Sequence, residues 1–218
     1  MQIRWLRQNQ GSQCLLFFGG WGMDPAPFRE VPSSGHDLVM VYDYRELAPF
    51  DWTPFVSYEQ VHLIGWSMGV WAAAHLLKNH QARFTSLTAL GGTLSPIDDK
   101  KGIPAPNYEA MLAGFNAEVL AQFYGNMFDH KEQLTRFLTH KPQRTLEELG
   151  QEMAAFQQAF NQFGKEKDIY TRKIITSRDR IFSGRNQMRA WGKGNGVVRN
   201  WPHFPFFLIN DWAELLTD

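Results

Sequence analysis

The chain has 218 residues, with 22 Lys+Arg against 22 Asp+Glu and 44% hydrophobic residues. Such a balance excludes an intrinsically disordered chain and gives no bulk electrostatic pull toward nucleic acid or a membrane surface. The single cysteine, Cys14, excludes an internal disulfide and fits a reducing compartment. No apolar run approaches the ~20 residues that span a bilayer, and residues 1–7 lack a signal-peptide apolar region. A cytoplasmic, monomeric protein is expected, with a core large enough for an ordinary enzyme.

Short apolar runs at 14–18 and 37–42 read as buried strands, the first closed by Gly19 and Gly20. A third run, 61–64, leads into Gly65-Trp66-Ser67-Met68-Gly69, and a helix-forming stretch follows over 70–77. Another strand is predicted at 85–90, closed by Gly91-Gly92, and two more at 172–176 and 196–200. Strands separated by helical segments predict a mostly parallel sheet with helices on both faces. From 95 to 165 the pattern is helical only, over 108–115, 117–128, 132–138 and 146–163. An insertion of that length predicts a small helical lid before the last two strands, with residues 1–94 and 166–218 forming the core. A crossover alone needs only a dozen or so residues. The stretch 210–216 predicts a short helical tail.

A G-x-S-x-G pentapeptide between a strand and a helix is a nucleophile elbow, the signature of an α/β-hydrolase. The tight turn projects the Ser67 hydroxyl beyond the sheet, and small residues on either side let strand and helix approach closely. This fold orders its catalytic residues serine, acid, histidine. His203 is the one histidine after residue 140 and directly follows the last predicted strand, as the base requires. Asp179 follows the strand at 172–176 and is the expected acid; Glu166 and Asp168 precede that strand, at the wrong edge, and Asp211 looks like a helix-start residue. The oxyanion donors are expected to be the backbone N–H groups of Met68 and Trp21. Trp21 lies in Gly19-Gly20-Trp21-Gly22-Met23-Asp24, whose glycines allow close approach to a bound acyl group; neither a P-loop nor G-x-G-x-x-G is present. Neither metal nor organic cofactor is expected, and His75 and His80 lack the spacing of a zinc helix.

Taken together, residues 17–24, the elbow and His203-Phe204-Pro205-Phe206 resemble the pimeloyl-acyl carrier protein methyl ester esterases of biotin synthesis. The short type, BioG, is the nearest in pattern, and the longer BioH type shares the Gly-Trp-Gly loop, the elbow and the His-x-Pro-Phe segment. The resemblance implies Ser67 as nucleophile, Asp179 as acid and His203 as base. It also implies a substrate that is the methyl ester of a seven-carbon diacid on an acyl carrier protein. By the same resemblance, Phe123, Tyr124 and Met127, with Trp21, are expected to line the acyl channel. Two departures stand out: the usual histidine before the Gly-Trp-Gly loop is glycine, and the connection from 44 to 61 is too short for a full helix.

Carrier proteins are acidic, yet residues 95–165 hold seven Lys/Arg against nine Asp/Glu, whereas 165–199 hold ten against three. Docking is therefore expected on the second stretch, through Arg185 and Arg189, together with Lys131, Arg136, Lys141 or Arg144. The motifs alone are equally compatible with a short-chain carboxylesterase or a C–C bond hydrolase. The other alternative is a non-catalytic hydrolase-like binding protein, against which the intact Ser67, Asp179 and His203 set counts.

Overall fold

A computed structural model describes residues 1–217 and places seven strands in one sheet. They are β1 (Gln2–Arg7), β2 (Gln13–Phe18), β3 (Asp37–Tyr42), β4 (Gln60–Trp66), β5 (Ser86–Leu90), β6 (Arg172–Thr176) and β7 (Val197–Arg199). Their order is β1-β3-β2-β4-β5-β6-β7, parallel throughout except for β1, which runs antiparallel to β3. Every residue of β3 is buried, and so is every residue of β2 and β4 beyond the first. Those strands are covered on both faces, which is why they read as unbroken apolar runs. The edge strand β1 is only partly buried and mixes Gln2, Arg4 and Arg7 with Ile3, Trp5 and Leu6, so its apolar signal is weak.

The chain reverses its direction of winding at β2 and β4. The sheet grows from β2 to β3 on one side and from β4 through β5, β6 and β7 on the other. A crevice outside the carboxyl ends of such neighbouring strands is where open α/β sheets bind ligands. The glycine loop after β2 and the elbow after β4 flank that crevice.

Helix α1 (Met68–Leu77) follows the elbow and is buried along most of its length. Between β5 and β6 stand α2 (Ala105–Ala113), α3 (Ala117–Asn126), α4 (Lys131–Thr139) and α5 (Leu146–Phe163). Asn116 caps α3 by accepting from the Glu118 and Val119 amides, and Thr145 with Glu148 forms a capping box on α5. Each such cap stabilises its helix by about 1 kcal/mol. Helix α5 is seated on α1 through Trp71, whose ring meets Phe156 and Phe160 edge-on at 5.2 and 5.8 Å. The indole N–H of Trp71 also donates to the Gly164 carbonyl at 2.8 Å.

A sixth helix, α6 (Gly184–Trp191), packs beside β6 and has no counterpart in the sequence reading. It is strongly polar, and its buried side carries Asn186 and Gln187 rather than apolar residues. The connection from β3 to β4 holds only a three-residue 3-10 turn, Thr53–Phe55, in place of a helix. The expected helical tail is likewise a single 3-10 turn, Trp212–Leu215, capped by Asp211. None of the described helices is long and apolar enough to cross a membrane.

Candidate active site

Ser67 stands between β4 and α1 with φ 58° and ψ −126°, a backbone conformation that non-glycine residues rarely adopt. Two glycines make this turn possible by close approach. A Cβ on Gly69 would lie 2.2 Å from the Phe18 carbonyl oxygen, and one on Gly92 would lie 2.2 Å from the Ser67 carbonyl oxygen. The turn is further pinned by the Ser67 amide, which donates to the Leu90 carbonyl at 3.0 Å. The strain at Ser67 is thus held by the strands on either side of it.

Asp179 and His203 meet across the ends of β6 and β7. The imidazole Nδ1 lies 2.8 Å from Asp179 Oδ2, and the two side chains are 1% and 0% exposed. The other carboxylate oxygen, Oδ1, accepts the Ile181 and Phe182 amides, each at 2.8 Å. Oδ2 additionally receives the Thr176 hydroxyl at 2.8 Å and Gln187 Nε2 at 3.2 Å. A carboxylate with this many donors is fixed in orientation, and it fixes in turn which imidazole nitrogen faces away.

The sequence around His203 explains how the ring is held. Phe204 and Phe206 are fully buried in an aromatic cluster with Phe17, Phe28, Trp66 and Trp212. Burying a side chain of that size contributes on the order of 1.5–3 kcal/mol. The Phe204 amide donates to the Met127 carbonyl at 3.1 Å, while the Trp66 indole donates to the His203 carbonyl at 2.8 Å. The Trp66 ring lies 5.1 Å from the imidazole, so the residue before Ser67 packs directly on His203. Phe182 also stacks on the imidazole, its ring 6.1 Å away and within 7° of parallel.

Ser67 and Met68 open onto a cavity of about 490 Å³, lined among others by Trp21, Ile103, Met111, Phe123 and Arg180. Among the described residues, the backbone N–H groups of Trp21 and Met68 have no acceptor. The structure brings Trp21 and Phe123 to this cavity but not Tyr124 or Met127. Tyr124 is buried on another face of α3 and packs on Phe137, while Met127, just past the helix end, joins the cluster that holds Phe204. Residues 119, 122, 123 and 126 share the cavity face, as the i, i+3, i+4 spacing of a helix dictates. The two expected channel residues belong to the core instead.

Arg144 is also not where a docking residue must be. Its side chain is 6% exposed and bridges Asp43 and the fully buried Glu152. Burial pushes the Glu152 carboxyl above its ordinary range, against the opposing pull of Arg144 and of the Tyr44 and Gly22 amides. Arg136 is half exposed and pairs with Glu30. Arg178 and Arg180 both face Asp129, at 3.0 and 3.6 Å, while Arg185 and Arg189 are exposed on α6. Glu166 lies away from His203 and pairs with His75 and Lys78. Cys14 is fully buried, and burial followed by the charge of Asp37 pushes its thiol up to about 12, which leaves it inert as a nucleophile.

Sequence reasoning missed Gln187, Thr176, Arg144 and Glu152 as site supports. Thr176 ends β6 and Gln187 lies on a short, strongly polar helix, so neither carried a motif.

Comparison with known proteins places the chain. A family model described as Pimeloyl-ACP methyl esterase BioG matches residues 1–214. The crystal structure of BioG from Haemophilus influenzae superposes with a TM-score of 0.88 at 30% identity, covering 100% of both chains. A hydrolase from Pseudomonas aeruginosa shares the fold, with a TM-score of 0.59 at 14% identity over 95% of this chain and 88% of its own. A Bacteroides fragilis protein named malonyl-[acyl-carrier protein] O-methyltransferase is 38% identical over 181 residues, which is 83% of this chain but 37% of that protein. The chain thus spans little more than a third of that relative. The α/β-hydrolase fold, the reach of the family match and the likeness to a solved BioG all agree: the chain belongs to the BioG family.

Proposed function

We propose that this chain is a serine carboxylesterase that hydrolyses the methyl ester of pimeloyl-acyl carrier protein, giving pimeloyl-acyl carrier protein and methanol. The observation that carries the reading is the buried Asp179–His203 contact at 2.8 Å, set beside the elbow of Ser67. Family membership supports a hydrolase of biotin synthesis and hence a carrier-bound substrate. The name of the Bacteroides relative fits the same chemistry, since an O-methyltransferase acting on a carrier-bound acid installs the kind of ester removed here.

In the proposed reaction, His203 Nε2 takes the Ser67 hydroxyl proton as Oγ attacks the ester carbonyl. The carbonyl oxygen becomes an oxyanion held by the Trp21 and Met68 amides, each donor contributing about 3 kcal/mol to the transition state. As the C–O bond to methoxide breaks, His203 returns the proton and methanol leaves. Water then attacks the acyl-enzyme, giving a proton to His203, and as the bond from Oγ to the acyl carbon breaks His203 returns that proton to Ser67, completing the cycle. Asp179 keeps the imidazole oriented and stabilises its protonated form without itself taking the proton.

Helices α2 to α5 act as the lid, with Ile103, Met111, Val119 and Phe123 packing along the methylene chain. Each buried CH₂ contributes about 0.8 kcal/mol, which favours a medium chain without fixing its length. The acidic carrier docks on the basic side formed by Arg178, Arg180, Arg185 and Arg189, with Arg180 at the cavity itself. A fluorophosphonate probe tests the chemistry: it should label wild-type protein at Ser67 and leave Ser67→Ala unlabelled. Absence of labelling in the wild type would return the chain to a hydrolase-like binding protein.

A further inference from the structure

Glu152 of α5 holds two separate stretches of backbone at once. Its Oε1 accepts the Tyr44 amide at 2.8 Å and its Oε2 accepts the Gly22 amide at 3.1 Å. Arg144 donates to Oε2 and reaches Asp43 Oδ1 at 3.0 Å. One turn earlier on α5, the Leu149 carbonyl accepts the indole N–H of Trp21 at 3.0 Å. Tyr44, fixed by Glu152, donates its hydroxyl to the Gly19 carbonyl at 2.7 Å. Gly19, Trp21 and Gly22 are therefore each tied to α5 or to a residue that α5 holds.

These ties converge on the loop that carries Trp21, one of the two proposed oxyanion donors. The loop is glycine-rich, with Gly22 at φ 75°, and so has little conformational preference of its own. An acceptor from outside must fix where the Trp21 N–H points. A buried ion pair is a poor source of stability, because desolvation offsets the attraction gained. What Glu152 does provide is one fixed acceptor for the loop at Gly22 and another for Tyr44, whose hydroxyl holds Gly19.

We infer that Glu152 is a positioning residue: with Arg144 it sets the loop so that the Trp21 N–H meets the forming oxyanion, and it makes that alignment depend on the seating of α5. The inference rests on the serine esterase reading above. Seating of the lid helix and competence of the oxyanion hole then become one event, since adjacent turns of α5 hold Trp21, Gly22 and Tyr44.

The test is Glu152→Gln in the full chain, assayed for ester hydrolysis and for affinity toward an alkyl boronic acid, which forms a tetrahedral adduct on Ser67. The expected result is a kcat reduced at least ~10-fold with KM changed less than about twofold, and boronate affinity reduced by a similar factor. Tyr44→Phe, which removes the hydroxyl's contact to Gly19 together with its longer one to the Val41 carbonyl at 3.3 Å, should show the same split at smaller size and covers the case that Glu152→Gln does not fold. A kcat close to wild type in whichever variant folds, or unchanged boronate affinity with only a lowered Tm, would overturn the inference. Wild-type protein no more active than Ser67→Ala would instead overturn the esterase reading beneath it.

Discussion

Gln187 reaches Asp179 from α6, its Nε2 3.2 Å from the same carboxylate oxygen that His203 contacts. The amide is fully buried, and its Oε1 accepts the Thr176 amide at 3.1 Å. Gln187 thus ties the end of β6 to the carboxylate that contacts His203, the proposed base. Gln187→Leu removes a donor to the carboxylate and leaves the Thr176 N–H without its acceptor. It should destabilise the fold by about 1–3 kcal/mol and lower kcat more than it raises KM. Urea unfolding and steady-state kinetics on one preparation check both.

Asp179→Asn keeps the shape of the site but presents an amide to the imidazole, which favours the wrong tautomer. Turnover should fall by roughly 10³- to 10⁴-fold with little change in KM. An activity within tenfold of wild type would remove Asp179 from the catalytic set.

The two faces of α3 give opposite outcomes. Phe123 lines the cavity and meets the Trp21 ring edge-on at 4.9 Å, whereas Tyr124 is buried against Phe137. Phe123→Ala should raise KM for a medium-chain ester severalfold with a modest loss of stability. Tyr124→Ala should cost about 3–5 kcal/mol of stability, as large aromatic deletions do, with KM unchanged in the folded fraction. Thermal unfolding and Michaelis–Menten curves separate the two.

Stability should also depend on pH through Glu166. Burial raises its carboxyl, but hydrogen bonds from His75 and Lys78 outweigh that and hold it below its ordinary value of 4.5. The unfolded state therefore binds the proton more readily, and stability rises with pH across this window. The contribution is fully present above pH 4.5 and is lost as pH falls through the depressed folded value. Glu166→Gln should lower the urea midpoint at pH 7 and approach wild type near pH 3. A constant difference across that range would contradict the assignment.

Much of the fold is legible in the sequence because its central strands are buried on both faces and so are continuously apolar. The elbow at Ser67 and the order of Asp179 and His203 after it are legible for a different reason. The proposed catalytic residues all follow strand ends, and strand ends can be counted. Where the signal fails, burial is achieved with polar residues or at an edge. Helix α6 buries Asn186 and Gln187, and β1 buries only one residue well. Arg144 shows the same limit, since a sequence displays its charge but not Asp43 and Glu152 closing around it. Tyr124 and Met127 fail by helical phase, lying one position beyond the cavity-facing Phe123 and Asn126.

The basic side makes a separable prediction about the partner. Neutralising Arg185 and Arg189 together should raise KM for a carrier-bound ester while sparing small esters, and added salt should weaken the wild type toward the variant. An unchanged KM would place docking elsewhere.

The most direct measurement is hydrolysis of pimeloyl-acyl carrier protein methyl ester, with Ser67→Ala and free dimethyl pimelate assayed alongside. The account predicts Ser67-dependent turnover with kcat/KM far higher for the carrier-bound ester than for the free one. Equal efficiency on both would leave a serine esterase but contradict the carrier-bound substrate, and turnover that survives Ser67→Ala would contradict the mechanism itself.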